Sequence, residues 1–190
     1  MIIYRDGLTE GIEEEKSKFE IKLIDELLQS ALDDENKKRD RPMPKVEIAY
    51  ISCSKNNLTR LFSQKQQLVN PPPGTVLDHT IINNGFYLFA ADIRQGSGTP
   101  VRFQICYNNW QRSDGITNLE DFSFKLCHNY YNWNGTIPVP SILKYAEKIA
   151  RQFSNHGLVE TQKLKIFKVK FTTFNWYSKT KFFSPEIFLF

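Results

Sequence analysis

The chain has 190 residues, enough for one domain with a real hydrophobic core, and its apolar and charged fractions of 41% and 24% are ordinary for a globular protein. It contains no run of about eighteen apolar residues that would span a membrane as a helix, and Arg5 and Asp6 interrupt the apolar start, which argues against a secretory signal. The net charge of +4 is modest, so composition alone singles out neither a strongly basic nucleic-acid binder nor an acidic tail.

The charge is unevenly spread. Residues 11–40 hold ten acids against six bases, and residues 161–190 hold six lysines against one glutamate. The basic end reads either as a contact to nucleic acid or as a solvated tail, and charge alone favours the tail. Cys53, Cys106 and Cys127 form no C-x-x-C pair. They are expected to be reduced, mostly buried thiols of an intracellular protein, without a zinc site.

In chain order, residues 2–5 read as a short buried strand, followed by a loop between Gly7 and Gly11. Apolar residues at 19, 23, 24, 27, 28 and 31 then predict one stripe of an amphipathic helix, closed by the charged run DDENKKRDRP. KVEIAYISC alternates as a strand, and the polar SKNNLTRLFSQKQQLVN reads as a loop. PPPG at 71–74 makes a rigid turn into a second strand, TVLDHTII. FYLFAA is a continuous apolar run and predicts a central strand buried on both faces. RQGSGTP is a loop, and VRFQICYN alternates as a further strand. Thr117 and Glu120 match a capping box opening a helix through Leu119, Phe122, Leu126, Cys127 and Tyr130. NGTIPVP breaks it, and Ile142, Leu143, Ala146, Ile149, Ala150 and Phe153 mark one more helix. The order predicts a mixed α/β domain. In residues 161–190, KIFKVKF reads as a strand, yet the composition equally resembles translated AT-rich non-coding sequence, and both readings stand.

Several residues bear chemistry. Asp6 ends a strand, where α/β enzymes place metal-binding carboxylates, although an aspartate beside glycines is commonly a turn former. Asp78 is expected in mid-strand, facing solvent. His79, His128 and His156 have no ligand spacing. GSG at 96–98 matches a phosphate-binding amide nest, and an ordinary turn equally well. Tyr130, Tyr131 and Trp133 lie among Asn129, Asn132 and Asn134, a mixture that suits stacking on bases and bonding to sugars, or packing at a helix end.

The segments IIYRDGLTEG, NPPPGTVLDHTI, RQGSGTP, LCHNYYNWNGTIPVP and KYAEKIA occur in this order. Together they resemble the PIWI domain of Piwi/Argonaute proteins, and YYNW with GTI is similar to the Piwi branch. The resemblance runs from residue 2 to about residue 153. It implies an α/β, RNase H-like fold that holds a guide small RNA against a target RNA, cut in active members with two Mg²⁺ ions. Paired ions suit that reaction because in-line displacement puts charge on both the attacking and the leaving oxygen.

On this resemblance Asp6 is one of the metal-binding acids. Glu147 falls where the family commonly has a histidine, which implies either a substitute ligand or an inactivated site. Gln95, Gly96 and Thr99, in the loop after FYLFAAD, are expected near the nucleic acid. Tyr130, Asn132, Thr136 and Tyr145 are expected to face RNA phosphates or sugars. The family's other acids precede the YRDG block, so the chain is expected to be a partial RNase H-like fold, the back half of a PIWI domain. The expected organisation is a partial PIWI domain at 1–153 and a divergent basic and aromatic tail at 154–190. The implied function is RNA binding in small-RNA silencing without independent cleavage, with silencing-complex proteins as further partners and no membrane. The alternatives are part of an active Mg²⁺-dependent slicer, or a fragment without a function of its own.

Overall fold

The computed structural model describes residues 1–8, 11, 13–38, 43–64, 68–79, 81–110 and 115–155, with residues 115–117 and 153–155 described by backbone alone. His156 and the strand expected at KIFKVKF lie outside the described residues.

The chain divides into two units, Met1–Tyr145 and Ala146–Phe190. Its elements are β1 (Ile2–Asp6), α1 (Glu13–Asn36), β2 (Ala49–Ser54), a small hairpin of β3 (Ser63–Gln64) and β4 (Leu68–Val69), β5 (Thr75–Leu77), β6 (Gly85–Phe89), β7 (Val101–Asn108), α2 (Gly115–His128) and α3 (Ser141–Asn155). Five strands make one sheet in the order β1-β2-β7-β6-β5. β1 runs parallel to β2, from Ile2 opposite Ala49 to Asp6 opposite Cys53, and the other pairs are antiparallel. A parallel pair needs a long crossover, and α1 lies within that connection.

Successive strand residues point to opposite faces, so β1 shows what each face holds. The Tyr4 hydroxyl meets Ser123 Oγ of α2 at 2.8 Å in a buried hydrogen bond. Arg5 Nε donates to Glu20 of α1 at 3.2 Å. α1 and α2 therefore cover opposite faces. The α2 face is apolar: Ile51, Cys53, Phe86, Leu88 and Phe103 pack with Leu119, Cys127 and Val139, and the Phe86 and Phe103 rings stack at 4.7 Å. Burial pushes the Cys127 thiol up to about 12 and raises that of Cys53 too, helped by the charge of Asp6, so both are inert thiols.

The α1 face is polar. Glu13 accepts from Ser52 Oγ at 3.1 Å and from Arg102 at 3.4 Å, and Glu20 accepts from both Arg5 and the Tyr50 hydroxyl. Burial raises the Glu20 carboxyl, but the Tyr50 and Arg5 bonds outweigh it and leave the group below its ordinary value. The expected stripe is met only in part: Ile24, Leu27 and Leu28 are half-buried. Phe19 and Leu23 are 72% and 46% exposed, while Glu13 and Ser17 are the buried residues of the helix. The first turns of the helix dock through polar bonds because Ser52, Arg102 and Arg5 lie opposite Glu13 and Glu20.

β6 and β7 fall where the sequence places them, and β6 is buried throughout. β5 is shorter than expected, and Asp78 lies beyond its end, beside His79, rather than in mid-strand. Pairing stops at Leu77 opposite Tyr87, although β6 continues to Phe86 and Gly85, because the chain bends away at His79, whose carbonyl accepts from the Ile81 N–H at 2.9 Å. The polar loop contains the β3–β4 hairpin. α2 begins at Gly115, so Thr117 lies inside its first turn rather than at its cap.

Candidate nucleic-acid interface

Asp6 is displayed on a turn held from both sides. Tyr4 and Leu8 are buried anchors, and Gly7 between them adopts φ 81°, a left-handed conformation that side chains resist. The Gly7 N–H donates to Asp6 Oδ1 at 2.8 Å, and Lys55 Nζ donates to Oδ2 at 3.1 Å. The acid thus stands at the carboxyl end of β1, with the lysine that follows β2 against its outer oxygen.

The loop after β6 is pinned by Asn70. Its Nδ2 donates to the carbonyls of Ile93 at 3.2 Å and Gly96 at 2.7 Å, and its Oδ1 accepts from the Gly98 N–H at 2.9 Å. A side chain at Gly98 would meet the Phe89 ring at 2.4 Å, so the loop passes where only glycine fits. Gln95 and Gly96 are exposed on this loop and Thr99 is half-buried. The Gly98 amide is turned inward to Asn70, so the GSG segment does not offer it to a phosphate.

The turn between α2 and α3 is fixed by Tyr145, whose hydroxyl accepts from the Tyr131 N–H at 2.9 Å and whose ring lies 5.4 Å from that of Tyr130. Tyr130 and Tyr145 thus support one another. The rings with free faces are Tyr131 and Trp133, 92% and 62% exposed, flanking exposed Asn132. Thr136 is half-buried, and Ile137 returns the chain to the core by donating to the Cys127 carbonyl at 2.9 Å. In the second unit, Glu147 accepts from Arg151 at 2.6 Å, one helical turn on. His128 Nδ1 faces the Phe124 carbonyl at 3.0 Å, a local helix contact rather than a ligand position.

The sequence model of the Piwi domain family matches residues 1–157. The chain belongs to the Piwi family. It is 34% identical over 153 residues to Protein piwi of Drosophila melanogaster, covering 79% of this chain and 17% of that protein. The crystal structure of Drosophila Piwi superposes with a TM-score of 0.62 at 28% identity, over 80% of this chain and 20% of that one. Kluyveromyces polysporus Argonaute, solved with a guide RNA, shares the fold at a TM-score of 0.66 and 19% identity, over 80% of this chain and 19% of that one. The chain therefore spans about a sixth of the length of the curated Piwi relative, and its mixed α/β sheet is part of the RNase H-like fold of a PIWI domain.

Asp6 decides whether this Piwi chain's residues fit a divalent metal. Both its oxygens are engaged, one by a backbone amide and one by an ammonium. Among the described residues, no group of three or more His, Cys, Asp or Glu is placed to hold a metal ion. The described residues do not by themselves make a two-metal centre. No described helix is long and apolar enough to cross a membrane.

Lys55 and Asn70 join the candidate site although sequence reasoning assigned them no role there. Lys55 is legible only through the parallel register that brings the ends of β1 and β2 together. Asn70 is one more turn residue until its carbonyl partners are known. Tyr131 and Trp133 stand in the aromatic cluster, where the sequence does not say which rings support and which face out.

Proposed function

We propose that this Piwi-family chain binds a guide small RNA and its target, and does not cut RNA by itself. The observation that carries the reading is the α2–α3 turn: two aromatic rings with free faces beside Asn132, on a backbone fixed by Tyr145. Stacking of this kind accepts any base, and amides add bonds to sugar and phosphate. Tyr130, Thr136 and Tyr145 shape this turn, and Gln95, Gly96 and Thr99 supply a second contact on the loop clamped by Asn70. Support for binding without turnover comes from the two acids. Asp6 is engaged by Lys55 and Glu147 by Arg151, so each already faces a cation of the chain itself.

The proposed organisation keeps 1–153 as the Piwi unit and 154–190 as a separate tail, supported by a family match that ends at residue 157. Silencing-complex proteins are the proposed further partners. The second reading is a Mg²⁺-dependent slicer, in which Asp6 contributes one ligand and residues outside this chain the others; the strand-end placement of Asp6 favours it. The deciding experiment incubates the purified chain with a labelled single-stranded RNA, with and without a 5′ phosphate, in Mg²⁺ and Mn²⁺. Salt-sensitive binding without cleavage is expected. Cleavage that disappears in Asp6→Ala would establish the slicer reading instead, and no binding at low salt would end the RNA reading.

A further inference from the structure

The chain holds two asparagine–glycine pairs, Asn84–Gly85 and Asn134–Gly135, and the fold places them in opposite settings. In such a pair the glycine nitrogen can attack the side-chain amide carbon of the asparagine before it, because glycine carries no side chain to shield the nitrogen and leaves the backbone free to turn. A nitrogen enclosed in a buried strand ladder must first be released by local opening, which the core resists.

Asn84–Gly85 is locked. Gly85 opens β6, is buried, and pairs with Gln104 of β7. The Phe103 carbonyl would lie 2.2 Å from a side chain there, so the neighbouring strand closes over this residue. The Asn84 carbonyl accepts from the Ile105 N–H at 2.8 Å and from Gln104 Nε2 at 3.0 Å. The Asn84 side chain itself is exposed, so what protects this pair is the enclosure of the glycine. Asn134–Gly135 is open. Both residues are exposed at a bend in the α2–α3 turn. The backbone bonds on either side stop short of them: the Trp133 N–H donates to the Tyr130 carbonyl at 3.2 Å, and the Ile137 N–H to the Cys127 carbonyl at 2.9 Å. Among the described residues, the Gly135 N–H and the Asn134 amide have no hydrogen-bond partner. Gly135 stands at φ 140°, and a side chain there would find only the Trp133 indole, at 3.4 Å.

We propose that Asn134 is a self-modifying site: the Gly135 nitrogen attacks Asn134 Cγ, the amide becomes a carboxylate, and the change weakens the RNA contact of this turn. The new nitrogen–carbon bond closes a cyclic imide. The bond from Cγ to the side-chain nitrogen breaks, and that nitrogen takes the Gly135 proton through water and leaves as ammonia. One water then opens the ring at either carbonyl, giving aspartate or isoaspartate, the latter with one more carbon in the backbone. Nothing is oxidised or reduced. The site stands apart from the RNA-binding reading, and its consequence rests on that reading. Asparagine both donates and accepts hydrogen bonds, whereas a carboxylate only accepts. Its charge also repels the phosphates of a strand stacked on Tyr131 and Trp133.

The test keeps the full folded chain at neutral and at mildly alkaline pH and samples it over days. Each sample is digested with an acid protease, and its peptides are sequenced by mass spectrometry; its affinity for a short labelled single-stranded RNA is measured in parallel. Asn134 is expected to gain the mass of amide-to-acid conversion and to split into two chromatographic forms, faster at the higher pH. Asn84 is expected to stay intact in the folded chain and to convert as fast as Asn134 in urea. Asn134→Gln, whose longer side chain must close a larger ring, is expected to keep its RNA affinity as it ages. Asn134→Asp is expected to bind several-fold more weakly from the start, with an unchanged thermal melt. Conversion of Asn134 no faster than Asn84 in the folded chain overturns the site. Conversion without loss of affinity overturns the consequence and leaves RNA binding standing. Absence of binding by fresh protein ends the RNA reading and the consequence with it, while the mass change at Asn134 still decides the site.

Discussion

Replacing Glu120 with glutamine is expected to stabilise the protein at neutral pH. Glu120 lies in α2, is 8% exposed, and its Oε1 has no hydrogen-bond partner among the described residues. Burial, and then the charge of Asp78, raise its carboxyl from 4.5 to about 6, with His79 offsetting a little. The folded state thus holds the proton more tightly than the unfolded chain. The penalty is absent below about pH 4.5, grows as pH rises, and is complete above about pH 6. A rise of this size corresponds to about 2 kcal/mol. Solvent screening at Asp78, whose side chain is 31% exposed, lowers the figure, to about 1–2 kcal/mol. Glutamine keeps the shape and removes the charge. Thermal melts of both proteins at pH 7.5, 6 and 5 measure the effect. A gain of roughly 2–4 °C per kcal/mol is expected at pH 7.5, shrinking steadily towards pH 5. A gain that stays constant with pH, or a loss at pH 7.5, would refute the assignment of an ionised, buried and unpaired carboxylate.

Other substitutions test the scaffold. Gly85→Ala places a methyl 2.2 Å from the Phe103 carbonyl oxygen; because that atom belongs to a central strand, a loss of about 3 kcal/mol is expected in a urea titration with unchanged slope. Asn70→Ala removes three hydrogen bonds from the loop after β6, and is expected to speed amide exchange at residues 93–98 and cost about 1–3 kcal/mol. Tyr145→Phe deprives the Tyr131 N–H of its acceptor, costing about 1 kcal/mol in a thermal melt and weakening RNA binding by loosening the turn. Trp133→Ala removes an exposed ring; it is expected to leave the melt unchanged and to weaken RNA binding by about 1–3 kcal/mol if a base stacks there.

The apolar half of the fold was the legible half. FYLFAA and VRFQICYN declare their strands because the α2 face is filled by their side chains, and the segments around Asp6, Gln95 and Tyr130 resemble the family in order. The α1 face was legible only in part. Its helix half-buries Ile24, Leu27 and Leu28 of the apolar stripe but leaves Phe19 and Leu23 exposed, and Arg5, Ser52 and Arg102 beneath its first turns select Glu13 and Glu20 instead. A periodicity argument assumes that the opposing surface is greasy, and nothing local in the helix reveals that it is not. The site shows the same division. Asp6 is visible at the end of its strand, whereas Lys55 becomes its neighbour only through a strand pairing 49 residues away in sequence. Asp78 was misplaced because the chain bends at His79 before β5 can use the first two residues of β6, Gly85 and Phe86.

The underside of α1 behaves as a keyed joint. A greasy interface tolerates sliding, since one methyl replaces another, but directional bonds all fail together when a helix shifts by a turn. Arg5 sits at the centre of this joint: it donates to Glu20 on the helix and, with another nitrogen, to the backbone carbonyl of Asp6. The aim of the acid on one side of the sheet is therefore set by lock pieces on the other. A change in α1 far from Asp6 would be felt as a misdirected carboxylate at the strand end.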